Sequence, residues 1–240
     1  MSNIPQRGGD DAEFAKPLYT PIKRRSFFMY AGATAGATAL LLSGCDDDEE
    51  TVTNNNSTVS LGSGDVGVLN YAYALEQLEA AFYKQVVATP YTGITTDERM
   101  ALTAIAQHEA IHRDFFKAAI TQAAPNQIIP GLNPDFSKVN FSDRNSVLTT
   151  ARTFEDLGVA AYNGAGALIK TDAYLLIAGK IVSVEARHAA YIRDLITPGS
   201  FSASDVVNAQ GLDQALTVSQ VLTAAQPFIK EKINGDNVGK

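Results

Sequence analysis

Two halves of this chain carry the same pair of motifs in the same order. Glu76 is followed seven residues on by Tyr83, and Glu109-Ala110-Ile111-His112 comes next. Then Glu155 is followed seven residues on by Tyr162, and Glu185-Ala186-Arg187-His188 completes the series. The repeat is one of chemistry as well as of structure, because each motif falls in a segment that reads as a long helix. From Asp65 to Ala88 the apolar residues Val68, Leu69, Ala72, Leu75, Leu78, Phe82 and Val86 recur at helical spacing. Pro90 and Gly93 stop that segment. Thr95-Thr96-Asp97-Glu98 offers caps for a second helix running to about Ala124. Ser142 or Asp143 can cap a third, continuing to about Lys170. A fourth runs from about Asp172 to Ile196 and ends before Pro198-Gly199.

Between the second and third helices lie Pro125, Pro130, Gly131 and Pro134. That connection is longer than a typical helix–helix loop. Short loops make antiparallel neighbours, and a long middle link lets the second pair dock alongside the first in the opposite sense. No segment alternates over a useful length as a strand would. The tail holds one more amphipathic stretch, about Leu212 to Ile233, interrupted near Pro227.

The motif spacing has a chemical reason. Residues three apart on an α-helix are about 60° apart in azimuth and about 4.5 Å apart along the axis. Each Glu-x-x-His pair therefore sends a carboxylate and an imidazole to one inner surface, and two such helices supply four ligands. One glutamate from each of the other two helices can then bridge a pair of metals. Oxygen and nitrogen donors without a soft thiolate suit iron or manganese. Four carboxylates also balance two divalent charges, so the loaded site buries little net charge.

The four-part pattern resembles the ferritin-like di-metal carboxylate proteins, above all the bacterial ferritin-like domain group related to rubrerythrins and to desiccation-related plant proteins. The resemblance covers residues 65 to about 197. It implies an all-α fold: a four-helix bundle with a long crossover between helices two and three, here with a C-terminal helical extension. It makes Glu76, Glu109, His112, Glu155, Glu185 and His188 the ligands of two divalent ions, iron or manganese. Tyr83 and Tyr162 would stand beside the metal carboxylates as hydrogen-bond or redox partners. Glu79 rivals Glu76 on nearly the same face; the match of Glu76–Tyr83 to Glu155–Tyr162 favours Glu76. The chain departs from rubrerythrins in lacking a cysteine-rich electron-transfer module. It also has Gly158 where they carry an extra glutamate.

The functions implied are oxidoreductase chemistry on oxygen, peroxide or ferrous iron in stress defence, or metal binding without turnover in a structural stress protein. A third reading rests on His108-Glu109-Ala110-Ile111-His112, which spells the zinc-peptidase motif H-E-x-x-H. There His108 and His112 bind zinc and Glu109 is the general base. That reading leaves the second Glu-x-x-His unexplained, where Val184 stands in the place of His108.

The N-terminus reads as a leader. Residues 1–25 are polar and end in Lys23-Arg24-Arg25, and an apolar run to Leu42 follows. Arg24-Arg25-Ser26-Phe27-Phe28 resembles the twin-arginine export motif. Leu42-Ser43-Gly44-Cys45 resembles a bacterial lipobox, which makes Cys45, the chain's single cysteine, the lipidated first residue of the mature protein. A lone thiol excludes an internal disulfide framework. Five acids, Asp46 to Glu50, follow; they read as a solvated tether and also resemble the export signal of some surface lipoproteins. Thr51 to Gly64 is polar and linker-like. The expected organisation is a leader over 1–44, a tether over 45–64, the bundle over 65–198 and the extension over 199–240. The expected location is the bacterial cell envelope, periplasmic or outer surface, with the membrane reached by the lipid. The net charge of -7 argues against a nucleic-acid partner. The expected partners are metal ions and small oxidants, and the sequence allows a homo-oligomer.

Overall fold

Four long helices form where the apolar periodicity places them. The structure, a computed structural model, describes residues 58–240. The expected leader, Cys45 and the expected tether up to residue 57 lie outside the described residues. Helix α1 spans Gly64–Ala88, α2 Thr96–Ala123, α3 Arg144–Gly166 and α4 Asp172–Ile196. α1 is buried on nearly every side, with Val68, Leu69, Tyr71, Leu75, Leu78, Phe82 and Val86 among its covered residues. A helix apolar all round needs neighbours all round. α2 and α4 each bury a single stripe, Leu102, Ile105, Phe116 and Ile120 on one, Ile181, Ala189 and Ile192 on the other. No helix among the described residues is long and apolar enough to cross a membrane.

The helix starts are set by side chains that satisfy free N–H groups. Thr95 Oγ1 accepts from the Glu98 N–H, and Glu98 Oε2 accepts from the Thr95 N–H, a reciprocal cap. The other Glu98 oxygen accepts from Arg144 Nε at 2.8 Å, and Arg144 also donates to the Leu195 carbonyl. One arginine thus ties the starts of α2 and α3 to the end of α4. Asp143 caps α3 by accepting from the Ser146 N–H.

Helix directions explain the long link. Tyr83 on α1 reaches Glu155 on α3, and Tyr162 on α3 reaches Glu76 on α1. The pairs run in opposite senses, so α1 and α3 are antiparallel. α2 and α3 therefore point the same way, and residues 124–143 must travel back along the bundle. They climb beside α1. Asn70, fully buried, donates to the Gln127 carbonyl and accepts from the Ile129 N–H. Gln77 accepts from the Leu132 N–H. Further along, Phe136 and Phe141 pack on Phe82, with Phe154 and Tyr83 completing an aromatic cluster. Phe228 from the C-terminal segment packs edge-on against Phe154 at 4.8 Å.

The two ends of the described chain differ from the sequence expectation. The C-terminal segment is helical only over α5, Val218–Ala225, and two 3-10 turns, Ser200–Ser202 and Gln226–Phe228, the second at Pro227 where α5 ends. Beyond it Lys232–Asn234 forms a strand, β2, parallel to β1, Thr58–Ser60. Only Val59 and Ile233 face inward on these three-residue strands, too short an alternation to read from sequence. The packed fold also begins before Asp65: Val59 and Leu61 are buried within a stretch whose Ser and Thr content reads as linker. α3 stops at Gly166, short of Lys170. Residues 214–217 cross α3 as a strap. Asn163 Nδ2 donates to the Gln214 carbonyl, and the Leu216 N–H donates to the Ala160 carbonyl.

Gly164 makes the strap fit. A Cβ there would lie 1.8 Å from the Leu216 carbonyl oxygen, whereas one on Gly179 in α4 would meet nothing within 4 Å. Gly164→Ala should therefore destabilise the fold by about 1–3 kcal/mol through overpacking. Gly179→Ala, at an exposed helical position, should stabilise it by about 0.5–1 kcal/mol. Urea unfolding of the two variants checks this; equal effects would mean that the strap does not dock on α3.

Candidate metal centre

Glu76, Glu109, His112, Glu155, Glu185 and His188 meet in the middle of the bundle, and all six are buried. α1 and α3 supply one carboxylate each; α2 and α4 supply a carboxylate and an imidazole each, as the three-residue spacing requires. His112 Nδ1 lies 2.7 Å from Glu185 Oε1 across the bundle, 3.6 Å from Glu109 Oε2 and 3.7 Å from Glu76 Oε2. His188 Nδ1 lies 2.8 Å from Glu109 Oε1, 3.1 Å from Glu185 Oε2 and 3.6 Å from Glu155 Oε2. Two overlapping groups able to hold a metal ion result. One is Glu76, Glu109, His112 and Glu185; the other is Glu109, Glu155, Glu185 and His188, with ligand atoms in each within 4.8 Å of one another.

The overlap corrects the sequence reading. The shared residues are Glu109 and Glu185, the glutamates of the Glu-x-x-His motifs, and not Glu76 and Glu155. Glu76 and Glu155 each serve one group only. The reason is the antiparallel packing of α2 against α4, which sets each histidine opposite the other helix's glutamate. Both motif glutamates then sit between the two histidines.

The orphaned atoms fit a cation. Glu76 Oε2, both Glu109 oxygens, His112 Nδ1, Glu155 Oε2 and Glu185 Oε1 are buried without a hydrogen-bond partner. His112 Nδ1 lies 2.7 Å from Glu185 Oε1, and Glu109 Oε1 lies 2.8 Å from His188 Nδ1, yet neither contact has the geometry of an N–H hydrogen bond. Among the described residues the only other such atoms are the Tyr71 and Tyr91 hydroxyls. Buried polar atoms are normally paired, and a metal ion is a partner that a set of convergent lone pairs can take.

The tyrosines bind across the halves. Tyr83 donates to Glu155 Oε1, and Tyr162 donates to Glu76 Oε1. Residues seven apart on one helix are about 10 Å apart along its axis, so each tyrosine is out of reach of its own helix's glutamate and meets the antiparallel partner's. Each glutamate is left with Oε2 facing the other donors.

Over residues 64–198 the chain matches the family described as ferritin-like domain. The chain belongs to the ferritin-like domain family. No curated protein matches the chain.

Within this ferritin-like site, electrostatics stands in tension with burial. Burial raises carboxyls and lowers imidazoles. Burial would lift Glu109, but His112 and His188 on either side hold it down at about 2. Burial would lower His112, but Glu109 and Glu185 raise it to about 9. His188, also buried, is pushed up to about 12 by Glu109, Glu155 and Glu185. Burial raises Glu155 to about 8 despite the pull of His188. Glu76 is raised well above the usual carboxylate range by burial and by Glu185 and Glu109.

Two further residues belong to the site. Glu79, the rival of Glu76, is also buried; it belongs to neither metal-binding group, and its carboxyl is raised well above normal by burial and four neighbouring carboxylates. Its helical offset of three from Glu76 was the signal for an inward face. Gly158 makes room for it: a Cβ there would lie 3.1 Å from Glu79 Oε1. His108 stands outside both groups. Its Nδ1 is 2.9 Å from His188 Nε2, the nitrogen facing away from the carboxylates.

These directions fix a pH dependence. The cluster without a cation keeps protons on both imidazoles and on its raised carboxyls, and a divalent ion must displace them. Mn2+ affinity should therefore rise with pH from about 6 toward the His112 value of about 9, with protons released on binding. Calorimetric titration in buffers of different ionisation heat measures both; an affinity flat between about pH 6 and 8 would contradict the assignment.

Proposed function

We propose that the chain is an exported, lipid-anchored oxidoreductase whose cluster holds two iron or manganese ions and acts on oxygen, peroxide or ferrous iron in stress defence. The observation that carries the reading is the set of buried, unpaired oxygen and nitrogen atoms that Glu76, Glu109, His112, Glu155, Glu185 and His188 turn toward one another. Hard oxygen donors with two imidazoles match those metals.

Iron or manganese, when bound, supplies a couple between +2 and +3 states and a Lewis acid. The chain supplies the rest. Glu109 and Glu185 belong to both groups and would hold the ions as a pair. Tyr162 and Tyr83 fix one oxygen of Glu76 and Glu155, leaving the other as a single donor. Their phenolic protons are held tightly, because burial first and then the adjacent carboxylates raise both hydroxyls well above the usual range. Phe82 packs on Tyr83 and Phe116 on Tyr162, so both tyrosines have apolar neighbours, and burial strengthens every charge interaction inside. Small oxidants have their shortest way in at the α2–α4 seam, where the two histidines are the most exposed of the six.

The zinc-peptidase reading requires His108 and His112 on one ion. His108 instead contacts the outer nitrogen of His188, so its geometry favours the di-metal reading.

Metal content and turnover test the proposal together. The wild-type chain should carry about two iron or manganese ions. Glu109→Ala and Glu185→Ala should lose both, and Glu76→Ala and Glu155→Ala one each. Ferrous oxidation or peroxide consumption should follow the metal content. Two bound ions without turnover on either substrate would favour a non-catalytic, metal-stabilised protein. A single zinc lost in His108→Ala would favour the peptidase.

The envelope location rests on Arg24-Arg25, the apolar run and Leu42-Ser43-Gly44-Cys45. In a bacterial host the chain should label with palmitate and fractionate with membranes, and Cys45→Ser should abolish the label. An unlabelled wild-type chain would remove the anchor from the proposal.

A further inference from the structure

The two halves of the site match in their six central side chains and differ just outside them. His188 presents Nδ1 to the carboxylates, and its Nε2 lies 2.9 Å from His108 Nδ1; with Nδ1 given to a metal ion, Nε2 would carry the ring proton and donate it to His108. The two rings lie 11° from parallel with centroids 5.1 Å apart. His108 is exposed on α2, one residue before Glu109. The matching place before Glu185 is Val184, which has no polar side-chain atom. Among the described residues nothing bonds the outer nitrogen of His112.

A partner on the far nitrogen of a metal-binding histidine fixes its tautomer and ring orientation and raises its basicity. Only one half of this site has such a partner. Resting on the di-metal reading above, we propose that the two positions are inequivalent: the one at Glu155 and His188 binds its ion first and more tightly, with His108 as the positioning residue that makes the difference. His108 touches neither group of carboxylates and acts only through the His188 ring. An apo chain therefore gains one ion at the Glu155 end of the cavity before the Glu76 end fills.

Titration of the metal-free full chain with Mn2+, followed by calorimetry and by the paramagnetic resonance signal of free Mn2+, tests this. Wild type should show two phases separated by about tenfold or more. His108→Ala should weaken the tighter phase by about 10–100-fold, merging the two, and leave the weaker one unchanged. His108→Gln, whose carbonyl oxygen can still accept from His188, should restore most of the separation. His188→Gln should remove the tight phase and His112→Gln the weak one, which assigns the positions. Because His108 is exposed, melting of the metal-free variant should equal that of wild type. Two ions of equal affinity in wild type would overturn the proposal. So would a His108→Ala loss shared equally by both phases, or one confined to the phase that His112→Gln removes. Absence of any bound Mn2+ in wild type would instead overturn the di-metal reading itself.

Discussion

Crowding carboxylates into the middle of a helical bundle is the constraint on which the rest of this structure depends. Glu76, Glu79, Glu109, Glu155 and Glu185 are all buried and close enough to raise one another's charge cost. Each ionised carboxylate costs several kcal/mol, on the order of a few, to remove from water, and like charges close together add to that cost. Two imidazoles offset part of it, and a pair of divalent ions would offset most. The surrounding structure holds such a site open against its own repulsion. α1 is buried on nearly all sides, the crossover is pinned along it by Asn70 and Gln77, and the aromatic cluster around Phe82 and Phe154 closes one flank. Apolar packing on this scale is what makes the central polarity sustainable.

Antiparallel docking of two similar hairpins turns that constraint into a site. Because α1 opposes α3, each tyrosine meets the other half's glutamate. Because α2 opposes α4, each histidine meets the other half's glutamate as well. The shortest contacts in the centre therefore cross between the halves, and neither hairpin could assemble the cluster alone. The long crossover is the topological cost of this arrangement. Residues 124–143 travel the length of α1 only so that α3 can start at the end where α2 starts, where Arg144 joins Glu98 and Leu195.

The legible part of the sequence was the part governed by periodicity. Helix positions, caps at Thr95 and Asp143, and the six central residues follow from a 3.6-residue repeat and a three-residue motif. What the spacing left open is depth and partnership across helices. A linear pattern places Glu109 and His112 on one face, but it does not say that Glu109 lies between two histidines while Glu76 lies beside one. It also hid the role of His108, which read as one half of a peptidase motif on α2 and in fact meets a residue 80 positions away. The C-terminal extension holds a helix, α5, shorter than its amphipathic run suggests, because the apolar residues Leu216, Val218, Leu222 and Phe228 serve three different surfaces. A strap over α3, a short helix and a turn onto Phe154 mimic one amphipathic run.

The departure from two-fold similarity at Glu79 and Gly158 follows from space and charge together. The two positions are related by the repeat, each three residues beyond the glutamate on α1 or α3. A Cβ at Gly158 would lie 3.1 Å from Glu79 Oε1, so the glycine leaves the room that the Glu79 carboxyl uses. Four ionised glutamates would balance the two divalent ions proposed for the cluster, and Glu79 is the carboxyl left over. Burial, and then Glu109, Glu155, Glu185 and Glu76 around it, drive that group toward its protonated form. A neutral acid is both a donor and an acceptor. The half that carries the glutamate thus places a proton-bearing group beside the ligand cluster, and the half that carries the glycine gives it the space.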